Sequence, residues 1–371
     1  MVLAKIVGIW TVLRLDEPNM QAAKQTGRIP GLDGLRAIAI VMVLACHLSG
    51  TLTWQAGGWL RTWIEAGIEG VTVFFFLSGY LITRLLLNEE QAQGKFSLPD
   101  FYLRRAVRIL PASIAFLVSL GIVAAIVKWP ISVAELLACI FFARNFTDGS
   151  DHTGHYWTLA SEEQFYLFWP ILLRCIPRRF RIPVIAVLAS GPVIVRLVLF
   201  MVGDPGWFNW WRIFRANALL FGTLLALLKE QRVIRLPRPA WIMGAAVALF
   251  FGALSVPPGS SNVLRLGAYL AELLAIGTAL SVVVEGHCPR VQALMSARPM
   301  VYLGHLSYSL YLWQQPFCLR ITGAAHEQMP WNVLWAFSAA VLSYHAIEQP
   351  CLRQRGRIRE WLGSFAKRGI A

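Results

Sequence analysis

The 371-residue chain is 57% hydrophobic and only 15% charged, with a mean hydropathy of +0.56. A soluble globular protein carries about 25% charged residues, so an ordinary water-soluble fold is excluded. The net charge of +14 does not indicate nucleic acid, because the Lys and Arg fall in short connections between apolar runs, which is the membrane pattern.

Residues 1–30 read as a cytoplasmic N-terminal arm. Its apolar stretch Ile6–Leu13 is short, preceded by Lys5 and closed by Arg14, and no small-residue cleavage site follows, so it does not read as a cleaved signal. Apolar runs of spanning length, about 17–25 residues, follow near 34–52, 66–87, 111–129, 157–173, 182–202, 213–228, 240–256, 264–284, 300–320 and 331–347. The expected fold is all-α: a polytopic helix bundle of about ten transmembrane helices over 31–352, followed by a basic cytoplasmic tail at 353–371.

The stretch 131–146 is shorter and carries Glu135 and Arg144. If it does not span, 26 basic residues fall on one side of the membrane and 6 on the other, with Arg196 and Arg215 left inside spans. If it spans, everything after it inverts and the bias largely cancels. The positive-inside rule therefore favours both termini in the cytoplasm, with 131–156 as an extracytoplasmic or re-entrant segment. The membrane expected is a bacterial inner membrane, with membrane lipids as partners. The six Cys are scattered without CxxC pairing, which argues against a disulfide framework or a zinc site. No metal is implied.

Ionisable residues inside spans are costly and point to function. In GLDGLRAIAIVMVLACHLSG, Arg36 and His47 lie eleven residues apart, about three helical turns, so they share a face roughly 16 Å apart along the axis. A lone helical His is often a satisfied core residue. Aligned with an arginine at the mouth, it also suits a general base in a buried chamber. The second run carries Ser78-Gly79 among aromatics, which reads first as small-residue helix packing. FYLRRAVRILPA places Arg104, Arg105 and Arg108 at the start of the third helix. These are either a positive-inside anchor or a clamp for an anionic cofactor, since guanidinium pairs with phosphate bidentately. In HYWTLASEEQFYLFWPILL, Glu162 and Glu163 are either a solvated cap or chamber-lining groups that orient a base or an acceptor hydroxyl. Near the end come His305, Tyr308, Tyr311, Trp313 and Glu348. The aromatics read first as packing, and Glu348 as the partner of a nearby Arg.

The ordered set GLDGLRAIAIVMVLACH, FFFLSGYLI, FYLRRAVRILP, WTLASEEQFYLFWP, LGHLSYSLYLW and IEQP resembles the acyltransferase-3 family of integral-membrane O-acyltransferases, over about residues 30–352. The resemblance implies transfer of an acyl group, commonly acetyl, from cytoplasmic coenzyme A to a hydroxyl of a carbohydrate or glycolipid acceptor. It implies cofactor binding by Arg36, Arg104, Arg105 and Arg108, and catalysis by His47 with Glu162 and Glu163. Ser78, Trp157 and Tyr166, within the same motifs, are candidates for binding the acceptor. Two departures stand out: Gln314 follows SYSLYLW where the family often has His, and Ser161 stands where an apolar residue is common. About twenty residues follow Pro350, which suggests the form without the serine-hydrolase-like domain that many relatives carry.

The mechanism expected is direct attack. His47 takes the proton of an acceptor hydroxyl near the thioester, and Glu162 or Glu163 holds the acceptor or tunes His47. No activated Ser or Cys suggests an acyl-enzyme; Cys46 lies about 100° around the helix from His47. A secondary transporter or flippase of a lipid-linked glycan is the alternative, although no inverted repeat or paired broken helices are visible.

Overall fold

The computed structural model describes residues 31–49, 69–202, 215–234, 241–257, 260–319 and 325–360, with residues 64, 67 and 323. The N-terminal arm and the tail beyond residue 360 lie outside the described residues. Every described element is a helix.

Helices occupy all ten apolar runs: α1 (Leu32–Leu48), α2 (Glu69–Gln93), α3 (Leu98–Val127), α5 (Tyr156–Cys175), α6 (Arg181–Met201), α7 (Ala218–Glu230), α8 (Trp241–Leu254), α9 (Asn262–Glu285), α11 (Arg298–Trp313) and α13 (Trp331–Ser343). Among them lie the short helices α4 (Val133–Ile140), α10 (Pro289–Met295) and α12 (Gln315–Cys318). A π turn over Tyr344–Glu348 leads from α13 into α14 (Gln349–Arg353). Among the described residues, four helical stretches are long and apolar enough to cross a membrane: Glu69–Gln93, Leu98–Val127, Arg178–Leu199 and Val263–Glu285. This supports four spans by length and composition, against the ten expected. α11 breaks at Gln314 before Pro316 and α13 runs into the π turn, while α5 keeps its length but carries Glu162, Glu163 and Arg174.

The side chains sort in the reverse of the soluble pattern. On α3, Ile114, Val118, Ile122 and Ile126 recur every four residues and are 50%, 55%, 57% and 74% exposed. That apolar stripe faces outward, as lipid contact requires. The inward face of the same helix carries Arg105, Arg108 and Ile109 into a cavity.

The sequence places the third helix at 111–129, but α3 begins thirteen residues earlier. Ser97 caps it, its Oγ accepting from the Asp100 amide at 3.3 Å, and Pro99 fits the first turn. The helix continues through Pro111, and the arginine triplet lies within its first three turns, at the helix start.

α1 packs between α2 and α11, and α2 packs along α7. The α2–α7 crossing depends on paired glycines. A Cβ at Gly79 would collide with the Leu219 carbonyl, and one at Gly222 with the Phe76 carbonyl, the small-residue packing that membrane helices use. Gly79 thus does the packing expected of Ser78-Gly79, which leaves Ser78 free to face inward.

The segment 131–156 forms an eight-residue helix and short turns. At 1.5 Å per residue α4 is about 12 Å long, too short to cross a bilayer. Its two charges are buried and bonded. Glu135 accepts from the Ser150 amide at 3.0 Å, from Ser150 Oγ at 2.6 Å and from the Thr153 hydroxyl, while Arg144 Nε donates to Thr153 Oγ1 at 3.0 Å. Asn145 and Gln164 exchange reciprocal amide bonds of 3.0 and 2.9 Å, tying the segment to α5. This network fixes Gly154 and His155 just before α5.

Candidate active site

Three cavities follow one another between α1, α2, α3, α5 and α11. The widest, 970 Å³, is a mouth lined by five arginines (Arg36, Arg84, Arg104, Arg108 and Arg355) and three carboxylates (Asp33, Glu89 and Glu348), with His305 beside them. Next is a central chamber of 100 Å³ containing Ser78, Arg105, Glu162, Tyr166 and Tyr308, which shares Arg36, Leu81 and Arg108 with the mouth. Beyond it lies a chamber of 160 Å³ containing His47, His155, Trp157 and Gln315, which shares Val71, Thr158 and Tyr311 with the central one. The Thr158 and Tyr311 hydroxyls are hydrogen-bonded to each other at that shared wall.

Arg36 and His47 occupy the same continuous helix, Arg36 at the mouth and His47 in the far chamber. Arg36 Nη1 lies 3.5 Å from Asp33 Oδ1, a long pairing. Arg104 Nη2 pairs with Glu89 Oε2 at 2.9 Å, and its Nε has no hydrogen-bond partner. Arg105 stacks over the Tyr166 ring, 3.7 Å from its centroid, again with Nε unpaired. Arg108 makes no hydrogen bond or ion pair to a described residue and borders both cavities. Guanidinium nitrogens left unpaired at a cavity wall fit an anionic group better than a positive-inside anchor, which needs only solvent.

The two glutamates separate. Glu162 lines the central chamber and accepts from Ser78 Oγ at 2.8 Å. Glu163 lines none of the three cavities, and its Oε1 is buried without a partner. Adjacent residues on a helix point about 100° apart, so one chamber cannot take both. His47 has neither of them as a hydrogen-bond or ion-pair partner. Its partner is Gln314: His47 Nδ1 and Gln314 Oε1 lie 2.5 Å apart. With an amide oxygen as acceptor, Nδ1 carries the proton and Nε2 keeps its lone pair. That is the tautomer a general base needs.

Sequence reasoning set Gln314 aside as a departure and missed it as the histidine's partner, because 267 residues separate the two. It also missed His155, quoted only as the start of a motif. His155 is 3% exposed and lines the far chamber. Burial, with His47 and Arg144 nearby, pushes its imidazole down to about 3. Trp157 lines this far chamber, whereas Ser78 and Tyr166 line the central one, so the three proposed acceptor contacts do not share a cavity. Glu348 accepts a hydrogen bond from the Ser309 hydroxyl rather than from an arginine, with Arg108 across the mouth.

The family described as Acyltransferase domain matches residues 29–344. O-acetyltransferase OatA of Staphylococcus aureus (strain NCTC 8325) is 28% identical over 365 residues, covering 88% of this chain and 58% of the relative. A protein of Staphylococcus aureus (strain COL), provisionally named O-acetyltransferase SACOL0978, is 29% identical over 383 residues, covering 92% of this chain and 60% of the relative. The chain thus spans about three fifths of the length of the curated relatives it matches. No solved structure matches.

Proposed function

This chain belongs to that acyltransferase family, and from this premise we propose that it moves an acyl group, acetyl in keeping with its relatives' names, from acyl-coenzyme A to a hydroxyl of a carbohydrate or glycolipid. The observation that carries the reading is the row of three cavities, with arginines at one end and His47 at the other.

In this reading the mouth faces the cytoplasm of a bacterium, the side to which the basic connections assign it. The phosphates of the donor meet Arg36, Arg104 and Arg108, with Arg105 just inside. Its long pantetheine arm runs through the central chamber past Ser78 and Tyr308 and brings the thioester to the wall formed by Thr158 and Tyr311. His47 Nε2 takes the proton of the acceptor hydroxyl as that oxygen bonds to the thioester carbonyl carbon. The carbon–sulfur bond then breaks, and coenzyme A leaves as a thiol, taking up the proton. Gln314 holds the imidazole in the required tautomer throughout. Glu162, bonded to Ser78, lines the route of the arm and acts away from the base.

The test uses the sidedness of a membrane-impermeant donor. Radiolabelled acetyl-coenzyme A is supplied to inside-out and right-side-out vesicles carrying the protein. Consumption only in inside-out vesicles, abolished by His47→Ala, supports the reading. Consumption only in right-side-out vesicles overturns the topology. Failure of the wild type to bind or consume the donor in either orientation overturns the reaction and leaves glycan transport as the reading to pursue by flux.

A further inference from the structure

The far chamber has a polar wall that the transfer steps leave unused. Neither ring nitrogen of His155 has a hydrogen-bond partner, although the residue is almost fully buried. Gln315 Oε1 is likewise unpaired, while its Nε2 donates to the Asp151 carbonyl at 2.6 Å. Behind His47, Gln314 Nε2 is buried and unpaired as well. Buried polar atoms are paired in the great majority of native structures, and four of the exceptions among the described residues lie in or beside this cavity.

The position of His155 is well determined even though its ring nitrogens are unpaired. Thr158 Oγ1 donates to its carbonyl at 2.9 Å. The rings of Phe116, Tyr156 and Tyr311 pack edge-on to the imidazole, with centroids 5.4, 5.0 and 5.7 Å away. A neutral imidazole offers one donor and one acceptor. Gln315 Oε1 adds a second acceptor, and Trp157 and Tyr311 bring aromatic rings to the chamber. No Arg, Lys, Asp or Glu is among the described residues lining it. Mixed donors and acceptors beside aromatic rings, without formal charge, match a sugar ring whose hydroxyls each donate and accept. An oxyanion would call for donors alone, and a uronic or sialic acid for a cation.

We infer that the chamber between His47 and His155 is the acceptor subsite and takes an uncharged, hydroxyl-rich sugar, with His155 and Gln315 holding hydroxyls next to the one that reacts. This deepens the acyl-transfer reading and rests on it. His155 binds the acceptor, while His47 accepts the proton.

The experiment follows coenzyme A release from acetyl-coenzyme A by the purified full-length chain in nanodiscs. The probes are methyl β-D-glucoside, methyl N-acetyl-β-D-glucosaminide and methyl β-D-glucuronide. The expected result is release stimulated by the uncharged glycosides, with the glucuronide about tenfold or more less effective in kcat/KM. His155→Phe, an aromatic replacement in aromatic surroundings, is expected to keep the thermal midpoint and the acetyl-coenzyme A KM. It should raise the glycoside KM about tenfold or more. His155→Gln, which retains a donor and an acceptor, should fall between the two. A histidine that only fills space would give no such KM split.

The inference is overturned if the glucuronide serves as well as the neutral sugars, or if both variants keep the wild-type glycoside KM. It is also overturned if a wild type that binds acetyl-coenzyme A responds to no glycoside, and in that case the donor reading survives. A wild type that does not bind acetyl-coenzyme A defeats the transfer reading itself.

Discussion

At the mouth, five arginines stand against three carboxylates around a wide cavity, and among the described residues Arg108 and the Nε of Arg104 have no hydrogen-bond partner. At the far end, about three helical turns along α1, the described residues lining the cavity carry no formal charge, and the unpaired atoms belong to His155 and Gln315, with Gln314 behind His47. The two ends therefore suit different ligands. A multiply charged molecule gains from converging guanidinium groups and has no reason to move deeper. A neutral polyhydroxyl molecule gains from amides and imidazoles and would compete poorly with water at the mouth. Within a membrane, where every buried charge is expensive, this division would, on the proposed function, let donor and acceptor enter from opposite ends without either occupying the other's place.

The strongest way to break this comparison is at His47. His47→Ala should lower single-turnover transfer by about 10²- to 10⁴-fold, the usual worth of a general base, with acetyl-coenzyme A binding preserved in an equilibrium assay. At the other end, Arg108→Ala should weaken donor binding by about ten- to hundredfold, as loss of a charge-assisted contact does. That loss should shrink at high salt, and the turnover rate of bound donor should stay near wild type. Gln314→Leu sharpens the comparison. It removes the acceptor that fixes the His47 tautomer and should lower kcat about tenfold, with donor affinity unchanged and the pH profile of kcat shifted. The smallest effect on chemistry is expected from Gly79→Ala at the α2–α7 crossing. It should cost about 1–3 kcal/mol of stability through overpacking, read as a lower thermal midpoint, while the ratio of donor affinity to turnover stays put.

Much of the fold was legible because spanning helices announce themselves through long apolar runs, and a helix occupies each of the ten. The alignment of Arg36 with His47 was legible for a related reason: on one uninterrupted helix, spacing alone fixes the shared face. Glu135 and Arg144 also marked 131–146 as unlike its neighbours, and they prove to be the centre of the buried network that holds this segment. What escaped were relations between helices distant in sequence. The Gln314–His47 bond joins α1 to the end of α11, and no local pattern encodes it; the only signal was the replacement of an expected histidine at 314. His155 looked like a residue preceding a helix, because its meaning depends on a cavity assembled from five helices, α1, α2, α5, α11 and α12. The start of α3 was misplaced for a different reason. Hydropathy excludes Arg104, Arg105 and Arg108 from a span, whereas the cap at Ser97 and the inward face of the helix include them. The count of spans diverged because α1, α7, α8, α11 and α13 are each described over 17 residues or fewer, and α5 carries Glu162, Glu163 and Arg174.

The most direct test of the division between the two ends is a crossed measurement on three proteins: wild type, His47→Ala and Arg108→Ala. Acetyl-coenzyme A affinity and the single-turnover rate of bound donor are determined separately for each. The account predicts that His47→Ala keeps its affinity and loses its rate, while Arg108→Ala loses its affinity and keeps its rate. If either substitution lowers both quantities together, or if Arg108→Ala binds the donor as tightly as wild type, the mouth and the far chamber are not the separate donor and reaction sites proposed here.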